Sequence, residues 1–111
     1  MTPWLKFTGF DVPEHTQESL VDYIIHGIPP GGFLYAVLRN DFVMAASKAD
    51  HVNARSLPYI ARWLMNEAPS QCWGTKDNIG NWLVDKDGIR TNFVEPIEKR
   101  RMWEALSETE K

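Results

Sequence analysis

Residues 27–82 decide the fold, and they read GIPPGGFLYAVLRNDFVMAASKADHVNARSLPYIARWLMNEAPSQCWGTKDNIGNW. Prolines, glycines and turn residues divide this stretch into four short segments, each with apolar residues at helical spacing. Isolated helices shorter than about 12–15 residues are marginally stable in water, so segments this short must pack against one another. The stretch therefore predicts a compact helical core to which the two ends of the chain are added.

Capping residues and apolar spacing set the boundaries of the expected helices. A first helix should cover about residues 13–26 and end at Gly27, because glycine readily adopts the left-handed conformation of a helix C-cap. Asp41, Ser56 and Thr75 are expected as N-caps, since their side chains can accept hydrogen bonds from free backbone amides. The further helices are predicted in these segments: 33–39, 42–49, 56–68, 76–85, and one opened by Glu95–Pro96.

The amino-terminal end is predicted to be an arm packed across the helices. Within residues 1–12, Leu5 and Phe7 should face one way and Trp4, Lys6 and Thr8 the other, as in an extended segment.

Residues 89–94 alternate loosely between apolar and polar, so a short strand beside the arm remains an open alternative. The fold class expected is all-α: a compact single-domain bundle of about five or six short helices, with or without one short β pairing of the termini. The chain is divided into an arm (1–12), a helical core (13–86) and a carboxy-terminal turn and helix (87–111).

Five tryptophans are many for 111 residues, and they are Trp4, Trp63, Trp73, Trp82 and Trp103. Each buried ring removes about 150–250 Å² from water, so together these rings could form much of a small core. Trp63 and Trp82 lie in helical apolar patterns and are predicted in the core. Trp73 lies in a loop, where a core position and a binding position are equally open.

Composition excludes several classes of function. A formal charge of −3 argues against a dedicated duplex-DNA binder, which normally needs a basic surplus. No apolar run reaches the roughly 18–20 residues of a membrane span, and the first residues lack the apolar region of a secretory signal. The expected location is the cytoplasm, in a bacterial host.

The chemistry-bearing side chains do not form a known catalytic pattern. Cys72 is the single cysteine, and a nucleophile would need His26 or His51 within hydrogen-bond reach. The sequence around Cys72 lacks the local signatures of cysteine enzymes, so a structural cysteine is favoured. His15, His26 and His51 lack the spacing of a helix-borne metal pair, and neither a metal nor a cofactor is expected.

The loop 70–75 is the strongest candidate for a ligand site. It leads into a helix N-terminus, where free amides favour an anion, and Trp73 offers a flat stacking surface. Gly74 permits close approach to the backbone, Thr75 caps the helix and Lys76 adds positive charge. Three side chains of the preceding helix could turn toward this loop: Arg55, Tyr59 and Arg62. The competing interpretation is that Trp73 fills the core and Thr75 merely caps.

A set of short motifs resembles a pattern found in small helical proteins encoded by bacteriophages and prophages. The resemblance covers about residues 20–83, and the motifs are Pro30-Gly31-Gly32-Phe33-Leu34, Ala36-Val37-Leu38, Asn40-Asp41, Ala49-Asp50, Leu57-Pro58, Trp63-Leu64, Asn66-Glu67-Ala68-Pro69 and Cys72-Trp73-Gly74-Thr75. The resemblance brings no catalytic residues. It implies an accessory protein that binds and disables a host component, including host defence.

The expected function is accordingly that of a non-enzymatic phage-type accessory protein that binds and inhibits or sequesters a host component. The partner would be a host protein surface or a small nucleotide signal. A homo-oligomer is expected, because a body of this size forms only shallow pockets alone. The alternatives are a small enzyme using Cys72 and His51, and a phage structural or assembly protein.

Overall fold

Six α-helices make up most of the part of the chain that the computed structural model describes, which is residues 5–109 with the side chains of residues 101 and 104–109 excepted. They are α1 (Glu14–His26), α2 (Gly32–Leu38), α3 (Phe42–Lys48), α4 (His51–Glu67), α5 (Lys76–Leu83) and α6 (Ile89–Thr109). Two 3-10 turns, Ser70–Cys72 and Lys86–Gly88, precede α5 and α6. Residues 5–109 contain no strand. The all-α class is therefore confirmed.

Four helices, α1, α2, α3 and α5, begin within one residue of their predicted starts, and side-chain caps explain two of these starts. The Asp41 side chain accepts from the Met44 amide at 3.2 Å at the start of α3. The Thr75 hydroxyl accepts from the Asn78 amide at 3.1 Å at the start of α5. At the end of α1, Gly27 has φ +68°, the left-handed geometry in which glycine carries no steric penalty.

Helix α4 begins five residues before the predicted cap, at His51. The Asp50 side chain is the N-cap and accepts from the Asn53 amide at 2.7 Å. Ser56 is therefore buried inside the helix, and Pro58 stands in its interior rather than in its first turn. The proline removes one amide donor of the helix, but Ala54 and Pro58 are both exposed, so water can reach the carbonyl that lacks its partner.

The segment 89–94 is helical, so the strand alternative was wrong. Asp85 is the reason, because its Oδ1 accepts from the amides of Arg90 at 2.8 Å and Thr91 at 3.0 Å. The other carboxylate oxygen accepts from the Thr91 hydroxyl. A carboxylate on free amides nucleates the first turn of α6 here, and Pro96 falls in the helix interior instead of at its start.

The arm packs across the bundle as predicted. Leu5 and Phe7 are buried while Lys6 and Thr8 are exposed, which is the expected alternation. The Phe7 ring stacks on Trp63 with centroids 4.5 Å apart, and the Trp63 indole donates to the Lys6 carbonyl at 2.7 Å. Residues 1–4, and with them the prediction for Trp4, lie outside the described residues.

The hydrophobic core is centred on two fully buried tryptophans, Trp63 and Trp82, as their helical spacing predicted. Trp82 donates its indole N–H to the Ile24 carbonyl of α1 at 3.1 Å. Tyr23, on the same turn of α1, donates its hydroxyl to the Cys72 carbonyl at 2.6 Å. These bonds join α1 to α5 and to the turn before α5.

Helix α6 leaves the core after its first turns. Among the side chains of α6 that the structure describes, Val94 is the last buried one, Ile97 is half-buried, and those beyond Ile97 are exposed. Trp103 is 71% exposed and is not a core residue. A helix of 21 residues is about 31 Å long, so the second half of α6 projects from the body.

We expect Gly80→Ala to stabilise the protein by about 0.5–1 kcal/mol, because glycine in a helix interior costs that much relative to alanine. Gly80 lies within α5, and a Cβ added there meets no atom within 4 Å. Urea denaturation of the variant and the parent measures the difference.

Gly27→Ala is the matched control and should destabilise by about 1 kcal/mol or more. Its φ of +68° disfavours any side chain, and a Cβ there would collide with the Arg90 guanidinium. Equal effects of the two substitutions would contradict the geometry given for both positions.

Asp85→Asn should lower stability at neutral pH and matter less in acid. Hydrogen bonds from the Thr91 hydroxyl and from backbone amides hold the pKa of the Asp85 carboxyl below its usual 3.8. A group with a depressed folded pKa stabilises above its unfolded pKa, and this contribution is lost as pH falls below about 4. Asparagine also tolerates the left-handed backbone of position 85, so the charge is the main change. Unfolding free energies at pH 7 and pH 3 should show the difference shrinking; a constant difference would refute the assignment.

Candidate functional site

The loop predicted as a ligand site packs against the core. Trp73 is half-buried, and its carbonyl accepts from the Asn78 side chain at 2.9 Å. Its indole nitrogen is buried and has no hydrogen-bond partner within the described residues. The Trp73 ring therefore contacts the core, as one of the two interpretations expected, and a binding role for Trp73 stays a prediction.

The backbone of the loop is already engaged by the protein. Gly74 has φ +106°, which favours glycine, and its N–H donates to the Leu38 carbonyl at 2.6 Å. The Thr75 hydroxyl is occupied as the cap of α5, and Asp77 adds negative charge to the same helix end. The Gly74 amide and the Thr75 hydroxyl, which were expected to attract an anion, are thus already bonded within the protein. The Lys76 side chain is exposed and keeps its positive charge available at this helix end.

The three predicted partners on α4 are exposed and share one face of the helix. Arg55, Tyr59 and Arg62 follow one another at spacings of four and three residues, which places them in a row. No hydrogen bond or ion pair joins this row to the loop 73–76 in the part of the chain that the structure describes. A ligand held by all seven residues stays a prediction.

Cys72 is fully buried at the end of a 3-10 turn. Burial raises the pKa of its thiol to about 12, so the thiolate that a nucleophile requires is suppressed at neutral pH. His51 is exposed at the first position of α4, and no hydrogen bond links it to Cys72 among the described residues. This environment is that of a structural cysteine.

A polar groove that the sequence did not reveal lies where α1, the start of α2 and the junction of α3 with α4 meet. Its volume is about 300 Å³, at the lower end of the range of small-molecule sites. The lining residues are His15, Thr16, Ser19, Gly31, Gly32, Phe33, Leu34, Lys48, Asp50 and Asn53.

Two buried polar side chains form one wall of this groove. The Thr16 hydroxyl of α1 donates to the Asn53 carbonyl oxygen of α4 at 2.6 Å, and both residues are more than nine-tenths buried. The Asn53 amide nitrogen lies 3.3 Å from His15 Nε2. Buried amides and hydroxyls are costly unless bonded, so this pair fixes α1 against α4 at the edge of the groove.

The two charged side chains of the groove differ in how they are used. Asp50 Oδ1 caps α4, and its Oδ2 lies 3.8 Å from His15 Nε2. Lys48 extends along Gly32, with its Cδ 3.4 Å from where a glycine Cβ would stand. The Lys48 ammonium forms no ion pair with any carboxylate that the structure places. The groove therefore contains the Asp50 carboxylate, which already contacts Asn53 and His15, and the Lys48 ammonium, which has no ion-pair partner among the described residues.

The groove could not be predicted from the sequence because its residues come from three separate stretches of the chain. One signal was present: Thr16 precedes Leu20 and Ile24 at spacings of four, so it lies on the buried stripe of α1. A polar residue on such a stripe requires a buried partner, but the sequence does not reveal that the partner is Asn53.

Helix α3 exposes an apolar surface. Phe42, Val43 and Met44 are consecutive and exposed, Val43 at 84%, and Ala45 is the one buried residue of this helix. We call these three side chains the α3 surface. Because Leu38 holds the Gly74 amide, the turn before α3 adjoins the loop predicted as the ligand site.

The described residues also bear on metal binding and on membrane insertion. Among the described residues, no group of three or more His, Cys, Asp or Glu side chains is arranged to hold a metal ion. None of the helices described is both long and apolar enough to cross a bilayer. Comparisons with protein-family models, curated proteins and solved structures found no match to this chain.

Proposed function

We propose that this chain is a non-enzymatic, phage-type accessory protein that binds a host protein and inhibits it. The observation that carries the proposal is the α3 surface. Runs of three consecutive exposed apolar residues are unfavourable on a monomeric protein unless they serve a function. Exposed apolar patches mark sites of protein association, and these three side chains are the candidate members of such a patch.

The setting of the α3 surface suits a partner protein. Arg39 and Asp41, just before it, form an ion pair at 3.2 Å, and the Arg39 guanidinium also lies 4.7 Å from the Tyr35 ring centroid. An apolar centre with polar groups at its edge is the usual anatomy of a protein interface. Ala45 is the one residue of α3 that is buried in the core, so Phe42, Val43 and Met44 do not belong to the buried core.

The geometry of the polar side chains supports binding over catalysis. The cysteine on which the enzyme alternative depends is buried with a raised thiol pKa, and His51 stands apart from it. Sequestration of a small nucleotide signal and pairing of the chain with itself are further modes of the same binding role.

Val43→Asp should abolish association with the host partner while leaving the fold intact. A carboxylate at the centre of an apolar interface costs binding energy, and near the start of α3 it is compatible with the helix dipole. The protein is expressed in bacterial cells, purified, and analysed by native mass spectrometry. We expect a stoichiometric host protein with the parent chain, and a dissociation constant raised about tenfold or more by the variant.

Val84→Asp is the matched control, because Val84 is 74% exposed at the end of α5, outside the α3 surface. It should retain the partner. Equal loss or equal retention by the two variants would contradict a role for the α3 surface. A retained mass of nucleotide size would instead favour sequestration, and recovery of the protein in purified virions would favour the structural alternative.

A further inference from the structure

We propose that the groove between α1, α2 and the α3–α4 junction binds a small organic anion, one that carries a carboxylate or phosphate group on a compact apolar body. This site is separate from the α3 surface and does not depend on the function proposed for that surface. It is also distinct from the loop 70–75.

The charge of the ligand follows from Lys48. This lysine lies along the floor provided by Gly32, and its ammonium has no ion-pair partner in the described residues. The nearby carboxylate of Asp50 accepts from the Asn53 backbone amide at 2.7 Å through Oδ1 and lies 3.8 Å from His15 Nε2 through Oδ2. These contacts orient this carboxylate away from an ion pair with Lys48 but do not cancel its charge. An anionic group in the groove would therefore meet a lysine that is free to bond it.

The Asn53 side chain, which lines the groove together with Lys48, is held in one orientation by the protein. Asn53 is held by Thr16 through its carbonyl oxygen, so the direction of its amide nitrogen is set by the fold. That nitrogen carries two hydrogens, and the structure gives it one contact, with His15 Nε2 at 3.3 Å. A carboxylate or phosphate oxygen can accept the second hydrogen without any rearrangement of the wall.

The apolar part of the ligand follows from α2. Phe33 is half-buried and, with the buried Leu34, lines the groove on the side facing the polar wall. Gly31 has no side chain to fill the space, and a Cβ added there meets no atom within 4 Å. A volume of about 300 Å³ accommodates a molecule the size of a substituted ring.

The test uses three small molecules of similar size that differ in charge: benzoate, phenyl phosphate and the neutral benzamide. Backbone amide shifts of the intact chain are followed by nuclear magnetic resonance up to about 10 mM ligand, which detects millimolar affinity. We expect saturable shifts of Ser19, Gly32, Lys48 and Asn53 with benzoate or phenyl phosphate and not with benzamide. The tighter of the two anions identifies a carboxylate or a phosphate as the natural group.

Two variants place the binding in the groove. Lys48→Met keeps the aliphatic stem and removes the charge, and it should weaken binding about tenfold or more, the size expected for one charged hydrogen bond. Gly31→Leu should block the space; its backbone has φ −71°, which leucine adopts without strain, and an unchanged spectrum elsewhere confirms the fold.

Lys86→Met is the matched control, since Lys86 is an exposed lysine of the 3-10 turn Lys86–Gly88, outside the groove and outside the loop 70–75. It should leave binding unchanged. The proposal is overturned if neither anion gives saturable shifts, if benzamide binds as well as benzoate, or if Lys86→Met removes binding that Lys48→Met retains.

Discussion

Buried aromatic side chains that must satisfy a polar hydrogen hold this fold together. Tyr23, Trp63 and Trp82 are each inside the core, and each donates its one polar hydrogen to a main-chain carbonyl 49 to 58 residues away in sequence. An unbonded donor in such a position would cost about 1–3 kcal/mol, so these rings require particular backbone partners as well as burial. The result is that short helices, marginal alone, are joined at defined points: α1 to α5, α1 to the Cys72 turn, and α4 to the arm.

The arrangement of the core accounts for the positions of the α3 surface and the groove. The core is formed by residues of the arm and of α1, α2, α4, α5 and α6, while the short helix α3 contributes only Ala45 and leaves its apolar first turn exposed. The groove has a related origin. Its polar wall exists because Thr16 occupies the buried stripe of α1 and must find Asn53, while Gly31 and Gly32 leave the opposite side open. Trp73 departs from the rule, since its buried indole nitrogen has no partner in the described chain.

Much of the helical architecture was predictable, because caps and apolar spacing act locally: Asp41, Thr75 and Gly27 do what their residue types indicate. The errors arose where a proline was interpreted as a helix start. The helix that contains Pro58 begins earlier, because Asp50 caps it. The helix that contains Pro96 also begins earlier, because Asp85 accepts from the amides of its first turn. Asp85 lies before that first turn, so the spacing of apolar residues within the helix does not reveal its role. The site was harder to predict than the fold. No hydrogen bond or ion pair among the described residues joins the candidate residues of α4 to the loop 73–76, so that site stays a prediction. The groove depends on contacts between stretches more than 30 residues apart.

The most direct test of this account is the unfolding free energy of Tyr23→Phe, measured by urea denaturation beside Tyr59→Phe. The first substitution removes the hydroxyl that bonds the Cys72 carbonyl and leaves that acceptor buried, so we expect a loss of about 1–3 kcal/mol. The second removes a hydroxyl from an exposed ring that has no such bond, and we expect a change within about 0.5 kcal/mol. If the two variants are equally stable, the hydrogen bonds of the buried aromatic rings do not hold the helices together, and the fold must depend on apolar packing alone.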